Sequence, residues 1–277
     1  AVNLTGAKNV FVDINPENLT LETKILEKKI SAKTKAIVPV HISGRASNMR
    51  EILKIARKKK LFVVEDAAQA FLSRYKNKYL GTFGIMGCFS FSPPKLITTG
   101  QGGAVVTNDP KMNRRLRRLK DQGREGMTTG GDDTHHEIGY NFKFTNIQSA
   151  VGLAQMFQIN KRIRRLKRNY FLYKNLLKKI KQVKVFHFNI LEGEIPLWTD
   201  ITCLRRNKLK EFLRRKGVDC RKFYRPLHTQ KPFRSIKGNY GIVESLSKKL
   251  LWLPSAFTLS DKDVIKVCNL IKKFYTQ

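Results

Sequence analysis

Lys95 is the residue whose surroundings most suggest chemistry. It follows Pro93-Pro94, which hold the backbone extended and remove two hydrogen-bond donors. A glycine-rich turn, Gly100-Gln101-Gly102-Gly103, comes shortly after it. A lysine held in such a loop near a strand end can lose part of its hydration. That lowers the pKa of the amine and makes it a Schiff-base nucleophile. The same loop could cradle a phosphate, but the pattern GxxxxGK[ST] is absent. Asp66 lies just past the apolar run Leu61–Val64 (LFVV). Acids at the carboxyl ends of strands in open α/β sheets can face a ligand or cap the following turn. Position alone leaves both roles open for Asp66.

Other reactive residue types fall into weaker patterns. His135 and His136 share a polar segment with Asp132, Asp133 and Glu137, but the spacing matches no metal-ligand set and reads as a solvated loop. No metal is expected. Cys88, Cys203, Cys220 and Cys268 lie far apart with no CxxC pair. They read as ordinary buried or half-buried thiols rather than a zinc site or disulfide framework.

The elements that must position Lys95 and Asp66 alternate between strand and helix. Asn9–Ile14 (NVFVDI) and Ala36–Ile42 (AIVPVHI) read as short strands, and Leu21–Ile30 as helix. Asn48–Lys60 places Met49, Ile52, Leu53 and Ala56 on one face at helical spacing, with Asn48 as its N-cap. Leu61–Val64, Gly87–Ser92 and Gly103–Thr107 follow as strands. This β–α alternation predicts an α/β fold with a mostly parallel sheet flanked by helices. A long basic helical region is predicted from about Thr145 to Lys181. After it come a strand over Pro196–Leu204, a helix over Asn207–Lys216 ended by Gly217, and a terminal helix over Ser260–Tyr275. The predicted division is a large domain over 1–170 and a smaller α+β domain over 171–277.

Charge is the most unusual bulk property. Lys plus Arg number 55 against 21 Asp plus Glu, a formal net charge of +34. Such a field attracts polyanions. The cations are spread through helical runs such as Asn113–Lys120 and Lys161–Arg168, with no zinc-finger, RNP or zipper pattern. Solvated Lys-rich faces explain them better than nucleic acid does. No run reaches the roughly 18–20 apolar residues of a membrane helix. With no secretory leader at Ala1, a cytoplasmic location is expected.

An ordered series of segments then decides among the roles of Lys95. GAKNVFVDINPENLTL, IVPVHISGRASNM, VEDAAQAF, CFSFSPPKLITTGQGGAVVTND, IGYNFKFTNIQSAVGLAQ, FYRPLHTQKPF and WLPSAFTLSDKDV occur in that order across nearly the whole chain. Together they resemble the DegT-type nucleotide-sugar aminotransferases, enzymes of the pyridoxal phosphate (PLP) transferase fold. The resemblance implies that Lys95 forms the aldimine with PLP and then shuttles a proton. It implies that Asp66 pairs with the pyridinium nitrogen and that Gln69 lies beside the ring. Ser90 would bind the phosphate, and Asn141 would reach the phosphate of the neighbouring subunit's cofactor. A homodimer with shared active sites follows. Tyr224, Arg225 and His228 resemble the family's segment near the sugar nucleotide. His41 reads equally as a residue lining the substrate side or as a satisfied histidine at a strand end. The implied reaction moves an amino group from glutamate to a nucleotide-linked keto-deoxy sugar, with a perosamine-synthase-like activity as the specific expectation.

Two departures stand against this. The family's upstream helix N-terminus for the PLP phosphate is not found, so the chain is expected to lack N-terminal residues. Asp121-Gln122-Gly123 stands where a His-Gly is expected. The missing segment and the net charge of +34 motivate an alternative, a catalytically inactive binding or regulatory protein on the same scaffold.

Overall fold

The computed structural model describes residues 1–125 and 133–277. In the first part the order is α1 (Thr23–Leu26), β1 (Ala36–Ile37), α2 (Met49–Lys59), β2 (Phe62–Asp66), β3 (Arg74–Tyr75), β4 (Lys78–Tyr79), β5 (Met86–Ser90), β6 (Gly103–Val106) and α3 (Pro110–Lys120). It continues with α4 (Asn146–Met156), α5 (Ile159–Leu177), β7 (Val183–Val185), β8 (Thr199–Cys203), α6 (Arg206–Arg215), β9 (Arg221–Lys222), α7 (Gly241–Ser247), β10 (Leu250–Leu253) and α8 (Asp261–Thr276).

Local chemistry explains the main crossover. The Asn48 side chain caps α2 by accepting from the Glu51 amide, and Lys60 ends it in a left-handed conformation. Met49, Ile52, Ile55 and Ala56 are buried along one face of α2. They pack on Ile37 and Val63 of the sheet below. A helix between β1 and β2 allows those strands to run parallel. The sheet order is β1-β2-β5-β6, with β2 and β5 parallel and β6 antiparallel at the edge. The predicted α/β architecture with a mostly parallel sheet is therefore present.

The C-terminal part is built on a second sheet. This sheet, β7-β8-β10-β9, is antiparallel throughout. One core joins Ile201 and Leu251 of that sheet to Leu209 and Leu213 of α6 and Val264 and Ile271 of α8. Cys203, Cys220 and Cys268 lie in this core. Burial pushes the thiols of Cys220 and Cys268 up to about 12, so they act as apolar filling. Ser260 and Asp263 form a capping box that starts α8.

Several elements differ from expectation. Among the described residues Asn9–Ile14 finds no partner strand, only an isolated bridge between Ile14 and Leu21. The Asp13 carboxylate accepts from the amides of Ile14, Ile242 and Val243, so this segment fastens the start of α7. Leu21–Ile30 is one turn of α-helix, α1, followed by a 3₁₀ turn over Glu27–Lys29. The basic region after Thr145 is two helices, broken at Phe157-Gln158. The expected division at residue 170 falls inside α5. Ile159 and Leu166 of α5 pack with Leu96, and Tyr173 and Leu177 enter the C-terminal core. Both parts of the chain thus share that helix. Among the described residues no helix is long and apolar enough to cross a membrane.

Candidate active site

The site forms where β2 and β5 end. Register pairs Asp66 with Cys88, which brings Asp66 and Ser90 to the same edge of the sheet. The backbone at Asp66 is held on both sides: its amide donates to the Pro39 carbonyl, and its carbonyl accepts from the His41 amide. The Asp66 carboxylate accepts from the Ala68 amide at 3.1 Å, as an acid capping a turn would. It also acts on Lys95, because its charge favours the protonated amine.

Gln69, Ser90 and Lys95 line one small pocket, with apolar walls from Phe71, Ile97 and Leu197. Burial pushes the Lys95 amine below its ordinary value, and the Asp66 carboxylate offsets only part of that. Lys95 Nζ lies 5.4 Å from the centroid of the Trp198 ring. The Ser90 and Ser92 hydroxyls are 2.9 Å apart. The Gln69 amide is fixed from both ends: Oε1 accepts from the Ser43 amide at 2.7 Å, and Nε2 donates to Tyr224 Oη at 3.3 Å. Ser43 holds a left-handed φ of 56° to aim its N–H there.

Asp66, Gln69, Ser90, Lys95 and Tyr224 are thus brought together. The other candidates lie elsewhere. Asn141 is exposed on a strand-like bridge to Asp121, and Arg225 is exposed. His228 meets Glu244 at 2.8 Å and stacks on Tyr240 at 4.3 Å. Of the two readings of His41, the substrate-facing one is corrected and the satisfied histidine is what the structure shows. It is fully buried, its Nδ1 accepts from the Ser47 amide, and its Nε2 lies 3.0 Å from Glu65 Oε2. No lone pair or proton of that ring is free for a ligand. In the polar loop, Asp132 lies outside the described residues. Asp133 pairs with Arg124, Glu137 with Arg115, and His135 Nδ1 with the Gln122 carbonyl.

Sequence patterns do not single out Trp198, Ser43 or Glu65. A lone Trp in a strand-like run and a Ser in a turn carry no spacing signal. For Glu65 the one signal is the β-type alternation around it, which turns its side chain inward.

The donor set fits pyridoxal phosphate. It offers, for an aldehyde, an amine whose pKa burial lowers, with a carboxylate for a ring nitrogen, an amide beside the ring and hydroxyls for a phosphate.

A family model described as the DegT/DnrJ/EryC1/StrS aminotransferase family matches residues 1–272. The chain belongs to this aminotransferase family. Among relatives, the GDP-perosamine synthase of Escherichia coli O157:H7 is 37% identical over 281 residues, covering 100% of this chain and 75% of that protein. Among solved structures, a DegT DnrJ EryC1 StrS aminotransferase from Brucella abortus superposes with a TM-score of 0.91 at 30% identity, covering 100% of this chain and 76% of the other. S. venezuelae DesV, solved in complex with a ketimine intermediate, superposes with a TM-score of 0.92 at 27% identity, covering 100% and 74%. These matches show the aminotransferase family and its fold.

Proposed function

We propose that this DegT-family chain transfers an amino group from glutamate to a nucleotide-linked keto-deoxy sugar, with pyridoxal phosphate held by Lys95. The observation that carries this reading is the Lys95 amine. It is half-buried with a lowered pKa, shares a pocket with Gln69 and Ser90, and answers to the Asp66 carboxylate.

Bound pyridoxal phosphate supplies an electron sink that lets a proton leave the carbon bearing the amino group. The chain's own residues do the rest. Asp66 keeps a proton on the ring nitrogen by placing a negative charge beside it. Gln69, clamped by Ser43 and Tyr224, holds the ring's orientation. The Ser90 and Ser92 hydroxyls offer donors to a phosphate. Lys95 Nζ takes the proton from the donor carbon and returns it to the sugar carbon, a task suited to an amine whose pKa lies below the usual lysine value. Arg225 is exposed and offers its guanidinium fork to a diphosphate, with Tyr224 beside it. The name of the Escherichia coli relative, GDP-perosamine synthase, supports a nucleotide-linked sugar as substrate.

The assembly is a homodimer with shared sites. Ile138, Phe142, Ile147 and Phe157, all within residues 138–157, are 92%, 70%, 80% and 81% exposed, and that much large apolar side chain left in water on one segment supports its burial against a second copy. Asn141 lies on the same segment, which supports its reach into a second copy's site.

A panel of keto-sugar nucleotides incubated with glutamate and pyridoxal phosphate, read by mass spectrometry, tests this function. Replacement of the keto oxygen by an amino group in at least one sugar is expected. No amination across the panel, by a chain that does take up the cofactor, overturns the substrate class.

A further inference from the structure

The loop that carries Lys95 is fastened along its length by one helix and the start of the next. Gly102 makes room for the Phe144 ring: a Cβ there would stand 2.3 Å from Phe144 Cε2. Gln148 Nε2 donates to the Gln101 carbonyl at 3.0 Å. Gly152 lets Thr99 come close, since a Cβ on it would meet Thr99 Cγ2 at 3.0 Å. The Gln155 amide pairs both ways with Thr98: its Oε1 accepts from the Thr98 amide at 3.1 Å, and its Nε2 donates to the Thr98 carbonyl. Positions 148, 152 and 155 recur at helical spacing on α4, with Phe144 just ahead of its N-cap, so one face of α4 meets the loop almost residue by residue.

Arg162 completes the clamp from α5. Its Nη1 donates to the Leu96 carbonyl at 2.9 Å and to Gln155 Oε1 at 2.7 Å. Its guanidinium lies over the Phe257 ring at 4.2 Å. Among the described residues no carboxylate pairs with Arg162, and burial lowers its pKa. A half-buried guanidinium without an anion is costly, and Met or Leu would pack as well over Phe257. What neither can supply is a charge-assisted donor that ties two neutral acceptors together. One of those acceptors is the carbonyl next in the chain after Lys95.

We propose that Gln155 and Arg162 are positioning residues for Lys95. They fix the backbone on the far side of the lysine and keep its amine inside the pocket, away from bulk water. This rests on Lys95 being the reacting amine. The same stretch is tied back to the residue after β5, with the Thr99 amide and the Thr98 hydroxyl both donating to the Phe91 carbonyl at 2.9 Å, which closes the loop around Lys95. Lys95 therefore sits in a loop closed from Phe91 to Thr98 and Thr99, and Gln155 and Arg162 clamp that loop from outside.

The test is the pH profile of Lys95 acylation in the full-length chain, read by peptide mass mapping against surface lysines. In wild type the Lys95 midpoint should fall below theirs. In Gln155→Ala, Arg162→Met and Arg162→Lys it should rise by about one pH unit, roughly a tenfold drop in free amine at a fixed pH. Arg162→Lys keeps the charge but cannot reach both acceptors, so it should behave like Arg162→Met. Thermal unfolding followed in parallel separates positioning from folding. A wild-type midpoint in folded Arg162→Lys and Gln155→Ala, whatever their melting temperatures, overturns the proposal. If Gln155→Ala does not fold, Arg162→Lys decides alone. The profile needs no cofactor. A chain that takes up no pyridoxal phosphate would sink the proposed function, whereas an unmoved midpoint would sink the clamp.

Discussion

Glu65 and Asp66 are neighbours on β2 with the same charge, yet their surroundings are opposite. Alternation along the strand sends them to opposite faces. Glu65 is 0% exposed. Its oxygens lie 3.0 Å from His41 Nε2 and accept from the amides of Gly81 at 2.8 Å, Phe83 at 2.6 Å and Gly84 at 2.8 Å. Asp66 is half-buried, accepts from the Ala68 amide, and acts on the Lys95 amine. A carboxylate whose lone pairs are filled by its own fold is a structural joint. One that keeps lone pairs open beside a lysine is equipped for a ligand.

Substitutions at this pair test the contrast directly. Asp66→Asn should lower kcat for amino transfer about 100- to 1,000-fold, as loss of a preorganised charge does. Its folding stability should stay within about 0.5 kcal/mol, since an amide oxygen can still accept from Ala68. Glu65→Gln should do the reverse. An NH₂ group would face backbone donors, and about 3 kcal/mol of stability should be lost in denaturant melts. Comparable effects of the two variants on both measurements would erase the distinction.

The pH dependence of folding sharpens it further. Burial tends to raise the pKa of Glu65, but the bonds from His41 and the backbone outweigh that and hold it below its ordinary 4.5. A carboxyl with a lowered folded pKa contributes stability above its unfolded value, and that contribution is lost as pH falls through the folded value. Wild-type stability should therefore decline below about pH 4.5, and this part of the decline should be missing in Glu65→Gln. Equal acid slopes in the two proteins would contradict it. The smallest effect belongs to Tyr224→Phe, which removes one neutral acceptor from Gln69. It should cost about 0.5–1.5 kcal/mol in kcat/KM, within roughly tenfold, and little in melting temperature.

Much of the site is legible in the residues themselves. Lys95 stands out by its Pro-Pro and glycine-rich flanks, and Asp66 by its place at a strand end. The strands that carry Asp66 and Ser90 lie within two residues of the runs that predict them, because buried parallel strands are continuous apolar runs. Other features depend on tertiary partners. NVFVDI has strand composition, but among the described residues no neighbouring strand reaches it, and Asp13 is drawn to the start of α7. The β3–β4 hairpin, two residues a side, is too short to show alternation. Its turn residues Lys76 and Asn77 both take positive φ without a glycine to mark them. His41 stays ambiguous in the sequence because its partner Glu65 is 24 residues away. Gln155 and Arg162 carry no local signal for the same reason, since their acceptors Thr98 and Leu96 lie 57 and 66 residues upstream.

The most direct test of the Lys95 assignment is the absorbance of the full-length protein with pyridoxal phosphate, beside Lys95→Ala. An imine band at about 410–430 nm should form in wild type and be absent from the variant. A band of equal strength in Lys95→Ala, or none in folded wild type, would contradict Lys95 as the residue that holds the cofactor.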